Sequence, residues 1–126
     1  MTKKLDLYKC EICGNVIEIE HEGADDLVCC GVEMTHLKEF QPNHDNAHFA
    51  HIEVLENGDK KISFNHPATF EHHIEFIEAI SKDLKYVKRK FLSPEENPEM
   101  ILKCDCKEGY YIKLYCNKDG VWVSNK

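Results

Sequence analysis

The chain has 126 residues, enough for one ordinary domain or two very small ones, and a formal charge of −7 argues against nucleic-acid binding by phosphate neutralisation. No apolar stretch follows Met1-Thr2-Lys3-Lys4-Leu5-Asp6, so no signal peptide is expected, and no segment approaches the length of a membrane span. Seven cysteines without a secretion signal point to the cytoplasm and, with eight histidines, favour metal binding over a disulfide framework.

Residues 5–9 have the period-two character of a strand and lead into Cys10. Cys10, Cys13, Cys29 and Cys30 follow the pattern C-x2-C-x15-C-C. Two close thiol pairs across one loop can build a tetrahedral all-sulfur metal site. Zinc ribbons and rubredoxin knuckles use C-x2-C in both halves. Adjacent ligands cannot both sit in a knuckle turn, so a distorted sulfur tetrahedron is expected. Thiolates suit zinc and iron alike: zinc there is structural, iron a one-electron carrier. Between the pairs, Gly14-Asn15 reads as a turn, 16–20 as a strand, 22–26 as a loop, and Leu27-Val28 as the lead into Cys29. A module of about 40 residues usually needs a metal or disulfides to stay folded, so a metal-stapled module is expected.

The polar stretch 41–46, with Pro42, reads as a linker. Strands are expected at 49–55, 60–64, 74–80, 86–92, 100–104, 110–114 and 121–124, separated by turn signals such as Asn57-Gly58-Asp59 and Asp119-Gly120. Seven short strands at this spacing argue for a β-sandwich. Ile74, Ile77 and Ile80 also fit helical spacing, but a short β-branched stretch favours a strand. The basic run 85–90 reads as a solvated strand or loop, and Cys104 and Cys106 as reduced thiols on one strand face.

His48, His66 and His72 precede a late cysteine, Cys116. Each histidine alone reads as an ordinary surface or core residue. Together with Cys116 they suit a redox iron site, because imidazole accepts iron and an axial thiolate pushes electron density onto it.

Here the sequence resembles a known family. Y-K-C-E-I-C-G-N and L-V-C-C-G-V-E-M are similar to the desulforedoxin-like domain of desulfoferrodoxin, the two-domain form of superoxide reductase. Stretches 66–78 and 114–122 resemble its catalytic domain. The resemblance implies an all-β chain: a desulforedoxin-like, rubredoxin-type iron module at 1–39, then an immunoglobulin-like, neelaredoxin-like β-sandwich at 40–126. It implies that Cys10, Cys13, Cys29 and Cys30 hold one iron, centre I. His48, His66 and His72 would be equatorial ligands of a second iron, centre II, with Cys116 axial and the sixth position open. The implied activity takes superoxide, one electron and two protons to hydrogen peroxide without releasing dioxygen, which suits an anaerobe. The implied reductant is a small donor such as rubredoxin, and the implied assembly a homodimer.

Two positions depart from the family pattern. The fourth histidine of C-N-x-H-G is replaced by Asp119, and the Glu-Lys before the first ligand histidine by Asn46-Ala47. Asp119 has three readings: a ligand, a neighbour of an open three-histidine, one-cysteine site, or the mark of an empty site. An ionised carboxylate lowers the charge of the centre and favours ferric iron. A missing lysine removes a charge that steers an anion inward. Superoxide reductase is the preferred function, because three histidines and Cys116 persist in context. The alternatives are an electron carrier using only the four-cysteine centre and a structural zinc protein. His44, His51 and His73 are expected to stay on the surface, the last two because an odd step along a strand turns them away from His48 and His72.

Overall fold

The computed structural model describes residues 1–24, 26–103 and 109–126. The chain divides into two compact units, Met1–Lys38 and Glu39–Lys126. Among the described residues there is no helix. Cys104 and Cys106 lie outside them.

In the first unit, β1 (Leu7–Lys9) is the middle of a sheet between β2 (Val16–Glu18) and β5 (Thr35–Leu37). A ribbon of β3 (Val28–Cys29) and β4 (Val32–Glu33) carries the second cysteine pair. Leu5, Leu7, Cys10 and Ile19 are buried. A unit with so few apolar side chains is short of core, which fits the expectation that a metal helps to hold it.

The second unit is a sandwich. One sheet orders its strands β10 (Val87–Phe91), β9 (Ile74–Ser81), β12 (Tyr110–Cys116), β13 (Gly120–Ser124) and β6 (Glu39–Phe40). The other orders β11 (Glu99–Leu102), β8 (Lys60–Ser63) and β7 (His51–Val54). Alternation sends Ile77 and Ala79 of β9, with Ile112, Leu114 and Cys116 of β12, into one buried cluster with Ile62, Met100 and Leu102 of the smaller sheet. Ile74–Ser81 is a strand, as its β-branching requires.

Several details differ from expectation. The pair Glu39-Phe40 joins β13 in parallel as a sixth short strand of its own, too brief to leave a periodic signal. The polar stretch 41–46 therefore lies inside the second unit rather than between the units. Near the end of β12 the register shifts, so that Tyr115 pairs with Phe76 but Cys116 with Ile74. That bulge sits at the rim of the sheet, where bulges commonly re-aim a side chain.

A row of charges crosses the larger sheet. Glu78, 0% exposed, accepts from Nη2 and Nε of its register partner Arg89 at 2.8 and 3.1 Å. Its other register partner is the buried Lys113, whose Nζ is 3.6 Å from Glu39. Removing one partner of a buried pair strands the other charge in low dielectric. Arg89→Ala is expected to cost about 2–3 kcal/mol, measured by urea unfolding of the full chain.

Candidate metal centres

The four cysteines converge through two different turns. In the first, Gly14 N–H donates to Cys10 O at 2.9 Å, and the Cys13 N–H points at Cys10 Sγ at 3.5 Å. Gly14 has φ +84, open to glycine at no steric cost. The second solves the adjacency problem by another route. Consecutive residues on a strand point to opposite faces. Cys30 leaves β3 in the left-handed region, φ 54, and Gly31 follows at φ 75. That turn brings Cys30 Sγ to 3.9 Å from Cys29 Sγ, which is 3.6 Å from Cys13 Sγ. Thiolates bound at about 2.3 Å to one tetrahedral metal stand about 3.8 Å apart, so the sulfurs fit zinc or iron. Amide N–H groups of the knuckle, Cys13's first, lower the Cys10 thiol to about 6. Hydrogen bonding to the Cys10 and Cys13 sulfurs pushes Cys29 up to about 12. Crowded sulfurs cannot all ionise side by side, and a bound cation relieves that conflict.

The second cluster stands at one end of the sandwich. His48, His66 and His72 come from loops, Cys116 ends β12, and Asp119 lies in the β12–β13 turn. His48, His66, Cys116 and Asp119 offer ligand atoms all within 4.8 Å of one another. His72 joins through Asp119 Oδ2, 2.8 Å from its Nε2. The same carboxylate oxygen is 3.1 Å from His48 Nε2, 3.9 Å from His66 Nε2 and 3.6 Å from Cys116 Sγ. Around one metal with bonds of about 2.1 Å, neighbouring ligand atoms stand about 3 Å apart and opposite ones about 4.2 Å. Asp119 thus fits a ligand flanked by His48 and His72 and facing His66. Cys116 Sγ lies 3.3 Å from His66 Nε2, near enough that it could serve the same ion.

The ring protons are assigned by their partners. His48 N–H donates to Asn46 Oδ1 at 2.8 Å, which fixes the orientation of that amide. The same oxygen therefore accepts from His48 Nδ1 at 2.6 Å. Pro67 O can only accept, so His66 Nδ1 donates to it at 2.7 Å. Each neutral ring is left with a bare Nε2 lone pair aimed at a carboxylate or a sulfur. Burial also lowers the pKa of both rings, disfavouring the imidazolium form that would relieve the contact. Burial likewise raises the Cys116 thiol. Burial pushes the Asp119 carboxyl up too, but hydrogen bonds from His72 and Cys116 and the nearby histidines outweigh it and hold the carboxyl low.

Asn117 ties the loops together. Its Nδ2 donates to Glu71 O at 2.9 Å and its Oδ1 accepts from His73 N at 3.0 Å, pinning the His72 loop to the Cys116 turn. Sequence reasoning assigned no role to Asn46, Asn117 or Trp122, although all three sit within a few residues of proposed ligands. His44, His51 and His73 do not join either cluster. His44 and His51 lie against Phe49, and His73 Nδ1 bonds Thr69 O. The reason differs from the one expected: His48 and His72 lie on loops, so strand alternation does not decide it.

Comparison with known proteins places these clusters in context. Residues 2–37 match the family model described as desulfoferrodoxin, N-terminal domain, and residues 59–125 the model described as desulfoferrodoxin. A desulfoferrodoxin of Syntrophotalea carbinolica is 38% identical over 129 aligned positions, covering 98% of both chains. One of Nitratidesulfovibrio vulgaris is 38% identical and covers 97% of both. The crystal structure of the superoxide reductase from Treponema pallidum superposes with a TM-score of 0.73, covering 98% of this chain and all of its own, at 19% identity. That likeness shows a common fold.

Partners of a ligand's second nitrogen set ring orientation and basicity. Asn46→Ala is expected to weaken metal binding at the histidine site by about 10–100-fold and to leave the four-cysteine site unchanged. Competition with a calibrated chelator, followed by metal analysis of each site, checks both halves.

Proposed function

The chain belongs to the desulfoferrodoxin family, and on that premise we propose a superoxide reductase whose histidine site holds iron through His48, His66, His72, Cys116 and Asp119. One observation carries the ligand set: the unprotonated Nε2 atoms of His48 and His66 face an anionic carboxylate and a sulfur, an arrangement that a cation makes favourable. Iron, when bound, supplies the electron that turns superoxide and two protons into hydrogen peroxide. The four cysteines hold a second iron in the same reading.

The residues divide the labour. His66 and His48, with side chains 0% and 8% exposed, form the closed side of the site. His72 and Asp119, at 34% and 38%, border solvent and form the side on which the substrate arrives. The buried Cys116 sulfur is shielded from water and, as a thiolate, would hold the iron and supply it with negative charge. A small donor such as rubredoxin returns the electron, and the working unit is a homodimer in the cytoplasm. Pairing is supported by Ile52 and Val54, exposed by 40% and 67% on edge strand β7.

Asp119 sets the pace. A divalent iron facing one thiolate and one carboxylate is formally neutral, where a fourth histidine leaves it positive. Ala47 supplies no cation beside His48, and the chain's net charge of −7 repels an anion. These substitutions also favour a second reading, an electron carrier in which only the four-cysteine centre works.

Anaerobically purified, iron-replete protein is expected to carry iron at both sites and to consume superoxide without evolving dioxygen. Iron confined to the four cysteines, together with persistence of superoxide, would falsify the first reading in favour of the second. Asp119→His restores a positive centre and is expected to raise the rate of oxidation by superoxide about tenfold, measured by pulse radiolysis. An unchanged rate means that the carboxylate does not limit the site.

A further inference from the structure

We propose that Trp122 is the positioning residue through which an external one-electron donor reaches the histidine site. The inference rests on the reading of that site as an iron centre.

Turnover needs two approaches to the same centre. Superoxide needs the solvent-bordering side of His72 and Asp119. A donor that docked there would block it, so a separate approach through the closed side has an advantage. Of the ligands on the closed side, Cys116 ends in the core cluster and His66 has no exposed side-chain surface. His48 has an aromatic lead outward. The Trp122 indole lies on its ring face to face, with centroids 4.5 Å apart and planes 5° from parallel. Trp122 is itself partly exposed, and beyond it Phe40, 43% exposed, stands 5.2 Å away.

The stack is held from three directions. Trp122 and Phe40 are register partners in the parallel pair β13–β6. Trp122 Nε1–H donates to Asp119 O at 2.9 Å, which fixes the indole in its plane. His48 is fixed by Asn46. A near-parallel, offset stack is an ordinary packing arrangement for aromatic rings. What distinguishes this indole is that it is also tied to the backbone of Asp119, so that it meets the site at two points.

The transfer is a single electron. It leaves the reduced centre of the donor, which is oxidised by one, and converts ferric iron to ferrous. Trp122 bridges without being oxidised or protonated, and no bond forms or breaks. The partner is a small redox protein with an exposed one-electron centre.

The test mixes ferric protein with reduced rubredoxin in an anaerobic stopped-flow instrument. Trp122→Leu removes the ring and is expected to slow re-reduction by about 10–100-fold, a larger loss than that in oxidation of the ferrous state by superoxide. Trp122→Phe keeps a ring on His48 and is expected to recover most of the loss. Phe40→Leu, which touches no ligand, is expected to slow re-reduction about threefold or more. The midpoint potential of the site is expected to be the same in Phe40→Leu as in the parent, so that driving force is not the cause of its slower re-reduction. Re-reduction of Trp122→Leu at the parental rate overturns the proposal, as does a loss that follows a shifted potential or an equal loss in the superoxide step. If the parent holds no iron at the histidine site, the premise and the proposal fall together. If the parent holds iron and only the variant results disagree, the proposal falls alone.

Discussion

The constraint on which the second unit turns is the convergence of electron pairs at Asp119 Oδ2. Three imidazole nitrogens and a sulfur lie within 3.9 Å of that oxygen. Two of the nitrogens have no proton to offer, because Asn46 and Pro67 already take the one that a neutral ring carries. Without a cation, His72 and Cys116 can still donate to that oxygen, but the bare Nε2 of His48 faces it lone pair to lone pair in a partly buried pocket. The alternative relief, protonating the rings, works against their burial. The same logic governs the first unit, where four sulfurs share a volume that cannot hold four separate negative charges. Both units thus fold around a conflict that a metal resolves.

The sandwich supplies precision where the loops alone would not. Cys116 ends the longest pairing in the unit, and the bulge opposite Glu75 sets its sulfur at the rim. Core packing on Ile77, Ile112 and Leu114 fixes that strand. The loop ligands are then referred to it by short hydrogen bonds: Asn117 to the His72 loop, Asp119 N–H to Cys116 Sγ at 3.4 Å, and Trp122 to Asp119. Shifting β12 by one residue would turn Cys116 out of the core face and break every one of these references.

The legible parts of this chain were those whose signal is local. C-x2-C and C-C are read at once, since a knuckle and a left-handed turn span only a few residues. Ile74–Ser81 was legible because β-branching and length outweigh an accidental helical spacing. The all-β class followed from many such stretches. Asn46 was read as linker, because its role depends on a ring proton and on a partner of His48 that lies 71 residues away. Glu39-Phe40 was missed because two residues have no period, and their strand exists only through β13. Trp122 belonged to a recognisable motif, but that its indole faces His48 follows from sheet register and not from sequence. The exclusion of His51 and His73 came out right for a reason that the loop positions of His48 and His72 do not support.

Asp119 is the residue on which the balance between the two units depends. A histidine at that position would bring a neutral ring and leave divalent iron with a positive charge. The carboxylate brings a full negative charge to within 3.1 Å of the Nε2 atoms of His48 and His72. A harder, anionic ligand stabilises the ferric state, so each cycle demands more of the reductant. The same charge weakens the pull on an anionic substrate, in a chain whose overall field already repels one. Under the proposed reading, both effects would move the difficulty from the chemical step to the arrival of the substrate and of the electron. In such a site the access routes matter more than the ligands. The four-cysteine centre carries no comparable substitution, so under the proposed reading iron held there would keep the ordinary chemistry of a one-electron carrier, while the histidine site would depend on how well an electron is delivered to it.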